Sequence, residues 1–199
     1  MNDEFTSDVR KLFDQISNCN AFTVALDTFM MRCVSMRYAN SDDLLSGQGA
    51  ALYGVRWNPP GILAVYGSLD VVTATKESYA ALREFGFQPR DVRPRVTVGA
   101  TIRLQSLLDL TSARTRRRIG FSVAELMDED WHAIQDGGEW SWTQAIGVGC
   151  REAGFEGLIA PSAQGRWRGK NVVYFPDRLH TGSQTTLLHP EDLPPPRRR

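Results

Sequence analysis

The protein is a chain of 199 residues, 42% hydrophobic and 23% charged, and its 23 basic and 23 acidic side chains give a formal net charge of zero. This composition is that of an ordinary globular protein, and the balanced charge gives no bulk attraction to nucleic acid or to an anionic membrane surface. Three cysteines without a CxxC pair argue against a disulfide scaffold and a zinc site, and they favour the reducing cytoplasm. The sequence contains no signal-peptide pattern and no apolar run of about 18 residues, so we expect no membrane association.

Hydrophobic periodicity and turn residues predict the elements of the first half of the chain. In chain order these are a surface helix over 3–16, a strand over 29–38, a loop over 46–61, a buried strand over 62–66 and a helix over 70–85. Asp70 is placed to cap the second of these helices, and Gly86 is placed to end it.

The second half alternates helices and strands irregularly. It predicts a strand over 95–104, helices over 111–119, 123–134 and 141–153, strands over 157–160 and 171–175, and an edge strand over 185–188. The alternating run RVTVGATIRL is the clearest strand, and Gly154 is placed to stop the last helix. Because the elements do not repeat as regular β-α-β units, we expect an α+β fold.

Several common chemistries lack their sequence signals. There is no GxGxxG motif after a strand, no GxxxxGK[ST] motif and no GxSxG elbow. The histidines His132, His180 and His189 are far apart and follow no metal-ligand spacing, so we expect no metal site.

The stretch from Arg37 to Glu77 combines glycines with arginines and aromatic side chains. Arginine binds phosphate through a planar fork, aromatic faces stack on heterocycles, and glycine allows close approach of the backbone to a ligand. Taken singly, Arg56 fits a surface ion pair, Trp57 a core anchor and Glu77 a solvated helix acid. Their occurrence together favours a nucleotide site.

The run SGQGAALYGVRWNPPGILAVYGSLDVVTATKES resembles the RES domain family. The family pattern is a G-x-GA segment, a GRWN-like turn, a strand ending in tyrosine and a helix carrying glutamate, and the resemblance covers roughly residues 31–175. It implies a compact domain similar to the ADP-ribosyltransferase fold, with two small mixed β-sheets flanked by helices. We therefore divide the chain into an N-terminal helical extension (1–28), a catalytic domain (29–190) and a disordered basic tail (191–199).

One position departs from the family pattern. Gly54-Val55 stands where the family has Gly-Gly before Arg-Trp, and valine resists positive φ. We therefore expect a slightly altered turn at this position.

Carried over position by position, the resemblance implies two sets of site residues. The candidate catalytic residues are Arg56, Tyr66, Glu77 and, as alternatives for the family's serine, Ser162 and Ser141. The candidate substrate-binding residues are Arg37, Tyr38, Trp57, Asn58 and Asn171. The arginines would bind phosphate and the tyrosines would pack against nicotinamide and its ribose. Glu77 would stabilise the positive charge that develops on the ribose.

The resemblance also implies a function, namely a cytoplasmic toxin that degrades NAD by cleaving its nicotinamide–ribose bond. The acceptor would be water or inorganic phosphate, with NAD as substrate and no permanently bound cofactor. An Xre-type antitoxin would be the partner, and its complex could bring copies of the chain together. Two alternatives stay open: an ADP-ribosyltransferase that modifies a host protein, and a module that binds NAD without turnover.

Overall fold

The described part of the chain is residues 3–84, 95–164 and 169–194 of a computed structural model. The expected helix end at Gly86 and residues 195–199 of the expected tail lie outside the described residues. The short 3-10 helix Pro190–Asp192 overlaps the first two residues of that tail.

Within this part of the chain, eight α-helices and six strands alternate irregularly. The helices are α1 (Asp3–Ser17), α2 (Ser41–Leu44), α3 (Gln48–Tyr53), α4 (Val71–Glu84), α5 (Ala113–Ile119), α6 (Val123–Asp128), α7 (Trp131–Asp136) and α8 (Trp142–Glu152). The strands are β1 (Val24–Ser35), β2 (Val65–Ser68), β3 (Arg95–Asp109), β4 (Gly157–Pro161), β5 (Lys170–Tyr174) and β6 (Gln184–Leu187). The predicted α+β class in a single domain is confirmed.

Local signals predicted the type of most elements, but several predictions were wrong in their extent. The strand predicted over 62–66 is Val65–Ser68, and the strand predicted over 95–104 continues to Asp109. The predicted loop over 46–61 contains the short helix α3. The predicted helix over 123–134 is two helices, because the backbone is extended at Glu129 and the side chain of Asp130 caps α7. The predicted strand over 29–38 ends at Ser35, whose hydroxyl accepts a hydrogen bond from the amide of Arg37 and begins a 3-10 turn.

The strands form one mixed sheet in the order β1-β2-β5-β4-β3-β6, in which β1 also pairs with β3. Only the β3–β4 pair is parallel among the described pairings. The expected division into two small sheets is therefore corrected. The long strand β3 pairs with β1 through most of its length, with β6 over residues 100–103 and with β4 at its end, so hydrogen bonding is continuous.

The sheet separates two apolar clusters. One lies between the sheet and helices α1 and α8, and it buries Leu12, Ile16 and Ile146. The other lies among the strands around Met30 and Tyr174. Helix α1 thus contributes side chains to the main core, and none of the described helices is long and apolar enough to cross a membrane.

Candidate active site

Glu77 lies at the centre of a hydrogen-bonded group of polar side chains drawn from three elements. Its Oε1 atom accepts hydrogen bonds from Ser162 Oγ at 2.6 Å and from Asn171 Nδ2 at 2.7 Å. Helix α4 carries Glu77, Ser162 directly follows β4, and Asn171 lies near the start of β5. These two donors therefore fix the position of a partly exposed carboxylate.

Both donors bind the same carboxylate oxygen. Across residues 3–84, 95–164 and 169–194, no side chain or amide donates a hydrogen bond to the other oxygen, Oε2. A carboxylate held on one oxygen in this way keeps its second oxygen, with its negative charge, available to a ligand.

The loop after β4 brings Ser162 to Glu77. Ser162 is fully buried, its amide donates to Gly169 O at 2.8 Å, and its hydroxyl accepts from the amide of Gln164 at 3.0 Å. Gly169 lies directly against α4, since a Cβ atom at Gly169 would lie 2.2 Å from Thr73 Oγ1. Close contact between this loop and α4 thus sets the position of Glu77 relative to Ser162.

The second group of predicted site residues forms the tight turn at Val55–Asn58. The backbones of Val55 and Asn58 exchange two hydrogen bonds, and Tyr66 Oη accepts from the Trp57 amide at 3.0 Å. The Tyr66 hydroxyl also donates to Asn58 Oδ1 at 2.7 Å. Burial raises the pKa of Tyr66, so the hydroxyl keeps the proton that this hydrogen bond requires.

Trp57 and Asn58 face the interior. The Trp57 side chain is buried in the main core, and the fully buried Asn58 amide donates to three backbone carbonyl oxygens. In this structure both side chains stabilise the turn from the interior. For either to bind substrate, as predicted from the sequence, the buried groups would have to rearrange.

Arg56 points away from this interior toward helices α6 and α7. Its Nη1 atom donates to Leu126 O at 3.0 Å and to Glu129 O at 3.3 Å, which orients the planar guanidinium. The carboxylate of Glu129 in turn accepts from the amides of Trp142 and Thr143 at the N-terminus of α8. Arg56 is therefore anchored on the segment that caps α8.

Strand β2 connects the turn to the Glu77 group. Tyr66 and Ser68 are two residues apart in an extended strand, so their side chains lie on the same face. Tyr66 supports the turn, and Ser68 Oγ donates to Asn171 Oδ1 at 2.7 Å. Ser68 was not among the sequence candidates, although strand alternation from Tyr66 was a signal that could have found it.

The remaining candidates lie apart from the Glu77 group. Arg37 and Tyr38 are exposed in the 3-10 turn after β1, with the guanidinium 5.5 Å from the tyrosine ring centre. Ser141 is buried as the N-cap of α8, where its hydroxyl accepts from the Gln144 amide at 3.1 Å. Of the two candidate serines, Ser162 is the one hydrogen-bonded to Glu77.

The described residues offer one grouping that could hold a metal ion, namely His189, Glu191 and Asp192. All three side chains are exposed, and they belong to the C-terminal 3-10 helix rather than to the Glu77 group.

A family model described as the RES domain matches residues 30–194. The chain belongs to the RES domain family. Among curated proteins, the NAD(+) phosphorylases MbcT of Mycobacterium bovis and Mycobacterium tuberculosis are 28% identical over 160 residues, which is 77% of each chain. The crystal structure of the M. tuberculosis MbcT–MbcA toxin–antitoxin complex matches with a TM-score of 0.64 and 24% identity, over 90% of this chain and 93% of that one. This structural likeness shows a shared fold.

The RES-family turn accommodates the valine that replaces its second glycine. The positive φ of 69° falls on Gly54, whereas Val55 is not among the described residues with positive φ and pairs with Asn58 instead. Val55 therefore fits this turn without adopting a positive φ, and the turn need not change to accommodate it.

Helix α8 supports this RES-family turn through a close backbone contact. A Cβ atom at Gly147 would lie 1.7 Å from Trp57 O, so Gly147→Ala should displace the turn and cost about 1–3 kcal/mol of unfolding free energy. Thermal unfolding should show a lower Tm, and NAD consumption should fall with it. Gly149→Ala, on the same helix, is the comparison variant and should lose less stability, because the nearest atoms to its Cβ are the ends of the Ile16 and Phe13 side chains, at 2.8 and 2.9 Å, which move more easily than a backbone carbonyl. Equal stability of the two variants would contradict this account.

Proposed function

We propose that this RES-family protein cleaves the nicotinamide–ribose bond of NAD and transfers the ADP-ribosyl group to inorganic phosphate. The observation that carries the proposal is the Glu77 carboxylate, held on Oε1 by Ser162 and Asn171 with Oε2 available to a ligand. The phosphorylase activity in the names of the curated MbcT relatives supports phosphate, rather than water, as the acceptor.

The reaction needs stabilisation of positive charge at the anomeric carbon of the ribose. As the C–N bond breaks, nicotinamide leaves as a neutral molecule with the bonding electron pair, and a phosphate oxygen forms the new bond to that carbon. A fixed carboxylate facing the ribose lowers the energy of this oxocarbenium-like state, as it does in glycoside cleavage. We assign this role to Glu77, and we assign the role of positioning it to Ser162 and Asn171.

Two arginines and Tyr38 bind the rest of the substrate in this proposal. The arginines Arg37 and Arg56 supply positive charge for the phosphate groups of NAD, and a planar guanidinium suits such contacts. Tyr38 is half-exposed on the 3-10 turn after β1, where its ring can cover a heterocycle. Tyr66 acts through the Val55–Asn58 turn, since both hydrogen bonds of its hydroxyl go to that turn.

We further propose that the protein acts in the cytoplasm as a toxin restrained by an antitoxin of the Xre type. The similar fold in the MbcT–MbcA toxin–antitoxin complex supports the partner. The free cysteines Cys19, Cys33 and Cys150 are consistent with a reducing compartment.

Product analysis with purified protein tests the reaction. With NAD and phosphate we expect nicotinamide and phosphorylated ADP-ribose, and without phosphate we expect nicotinamide release to slow markedly. Free ADP-ribose formed at the same rate without phosphate would make the protein a hydrolase. Labelled protein after incubation with labelled NAD would indicate an ADP-ribosyltransferase, and NAD binding without nicotinamide release would indicate a binding module.

A further inference from the structure

Ser68 forms the first link of a hydrogen-bonded chain that ends at Glu77. Ser68 Oγ donates to Asn171 Oδ1 at 2.7 Å, and Asn171 Nδ2 donates to Glu77 Oε1 at 2.7 Å. The backbone register places Ser68 directly opposite Asn171 on the paired strands β2 and β5. Ser68 is only 3% exposed, so water is poorly placed to replace its hydroxyl.

The chemistry of the three groups determines the direction of this chain. An ionised carboxylate only accepts hydrogen bonds, so the Asn171 amide must turn its NH₂ group toward Glu77. The Asn171 carbonyl oxygen then faces Ser68 and requires a donor, which the serine hydroxyl supplies. A flipped amide would bring its oxygen against the carboxylate, so Glu77 disfavours that flip, and the Ser68 hydroxyl holds the unflipped amide by donating to its oxygen.

We propose that Ser68 is a positioning residue for the cleavage reaction, acting through Asn171 to hold the Glu77 carboxylate in place. This inference rests on the proposed function. Because Glu77 acts on charge that develops in the transition state, loss of its positioning should lower kcat more than it changes KM for NAD.

Ser68→Ala removes the donor with little change in volume. We expect kcat for nicotinamide release to fall about 3–10-fold, the effect of one buried hydrogen bond, with KM within about 2-fold of wild type. Ser68→Thr, which restores a hydroxyl, should recover most of the loss. The matched control is Ser78→Ala, one residue from Glu77, because Ser78 Oγ is buried without a hydrogen-bond partner among the described residues. This control should retain the wild-type kcat.

A double-mutant cycle separates positioning from packing. If Ser68 acts through Asn171, then Ser68→Ala should have little further effect on the residual activity of Asn171→Ala. The inference would be overturned if Ser68→Ala lowered kcat by the same factor in the wild-type protein and in Asn171→Ala. It would also be overturned if the single variant Ser68→Ala kept the wild-type kcat.

The side-chain amide resonances of Asn171 give a readout that does not depend on turnover. They should shift and broaden in Ser68→Ala and remain unchanged in Ser78→Ala, and unchanged Asn171 resonances in both variants would also overturn the inference. A wild-type protein that releases no nicotinamide would refute the proposed function instead, so the two failures are distinguishable.

Discussion

Glu77→Ala is expected to lower kcat for NAD cleavage by about 10²–10³-fold, the typical effect of removing one preorganised charge-stabilising group. The carboxylate is the group that Ser162 and Asn171 hold in place, and alanine removes the acceptor that these two donors share. Because glutamine keeps the shape of the side chain but not the charge, Glu77→Gln should lose nearly as much activity. Release of nicotinamide from NAD, followed with purified protein, measures both variants.

A control variant and a growth test make the Glu77 result interpretable. Glu152→Ala removes an exposed acid at the end of α8 and should retain the wild-type rate. In cells, expression of the wild-type protein should deplete NAD and arrest growth, whereas Glu77→Ala should do neither at equal soluble yield. Co-expression of the cognate antitoxin should relieve the arrest. A folded Glu77→Ala protein with the wild-type rate would refute the assigned role of the carboxylate.

Glu156→Gln is expected to lower the free energy of unfolding by about 2–3 kcal/mol at neutral pH, because hydrogen bonds to a buried charged acceptor are lost. Glu156 is fully buried and accepts from the amides of Gln105 at 2.5 Å, Ser106 at 2.8 Å and His180 at 2.7 Å. Its carboxylate therefore joins β3 to the segment that leads into β6. Urea unfolding followed by circular dichroism measures the loss.

The same carboxylate predicts how stability depends on pH. Burial disfavours the charged form, but hydrogen bonds from the backbone amides of His180, Ser106 and Gln105 outweigh it, so the pKa of Glu156 lies below its ordinary value of 4.5. A depressed folded pKa gives stability that is complete above the unfolded pKa and is lost as the pH falls through the folded pKa.

At neutral pH the free energy of unfolding should therefore be higher for the wild-type protein than for Glu156→Gln. The difference should shrink below about pH 4.5 and disappear in stronger acid. Glu152→Gln, which changes an exposed acid nearby, should follow the wild-type curve. If the difference in unfolding free energy between wild type and Glu156→Gln were the same at every pH, the ionised carboxylate would contribute nothing to stability.

The candidate site was predictable from sequence to the extent that its signals are local. The resemblance to the RES domain family rests on one continuous run, residues 46–78, which contains Arg56, Tyr66 and Glu77, and the family model covers that run. Burial was not predictable in the same way, because an aromatic or amide side chain beside the turn arginine suits a ligand pocket and a packed interior equally well. Trp57 and Asn58 lie in the interior because α8 packs its Gly147 against the backbone of Trp57.

Elements whose signals lie within a few residues could be predicted from the sequence. The Asp70 side chain caps α4 at the Thr73 amide, and Gly154, with a φ of 84°, follows α8 as expected. Periodicity and capping act over one or two turns, so they can be read along the chain.

Local signals could not show which serine adjoins Glu77, or that Ser68 supports the Glu77 group, because both depend on long-range contacts. Ser162 and Asn171 lie 85 and 94 residues from Glu77 along the chain, and they reach it because β4 and β5 pair in the sheet beside β2. Contacts of this range depend on the pairing of strands and on how a helix packs against them, and neither is encoded in any short segment of sequence.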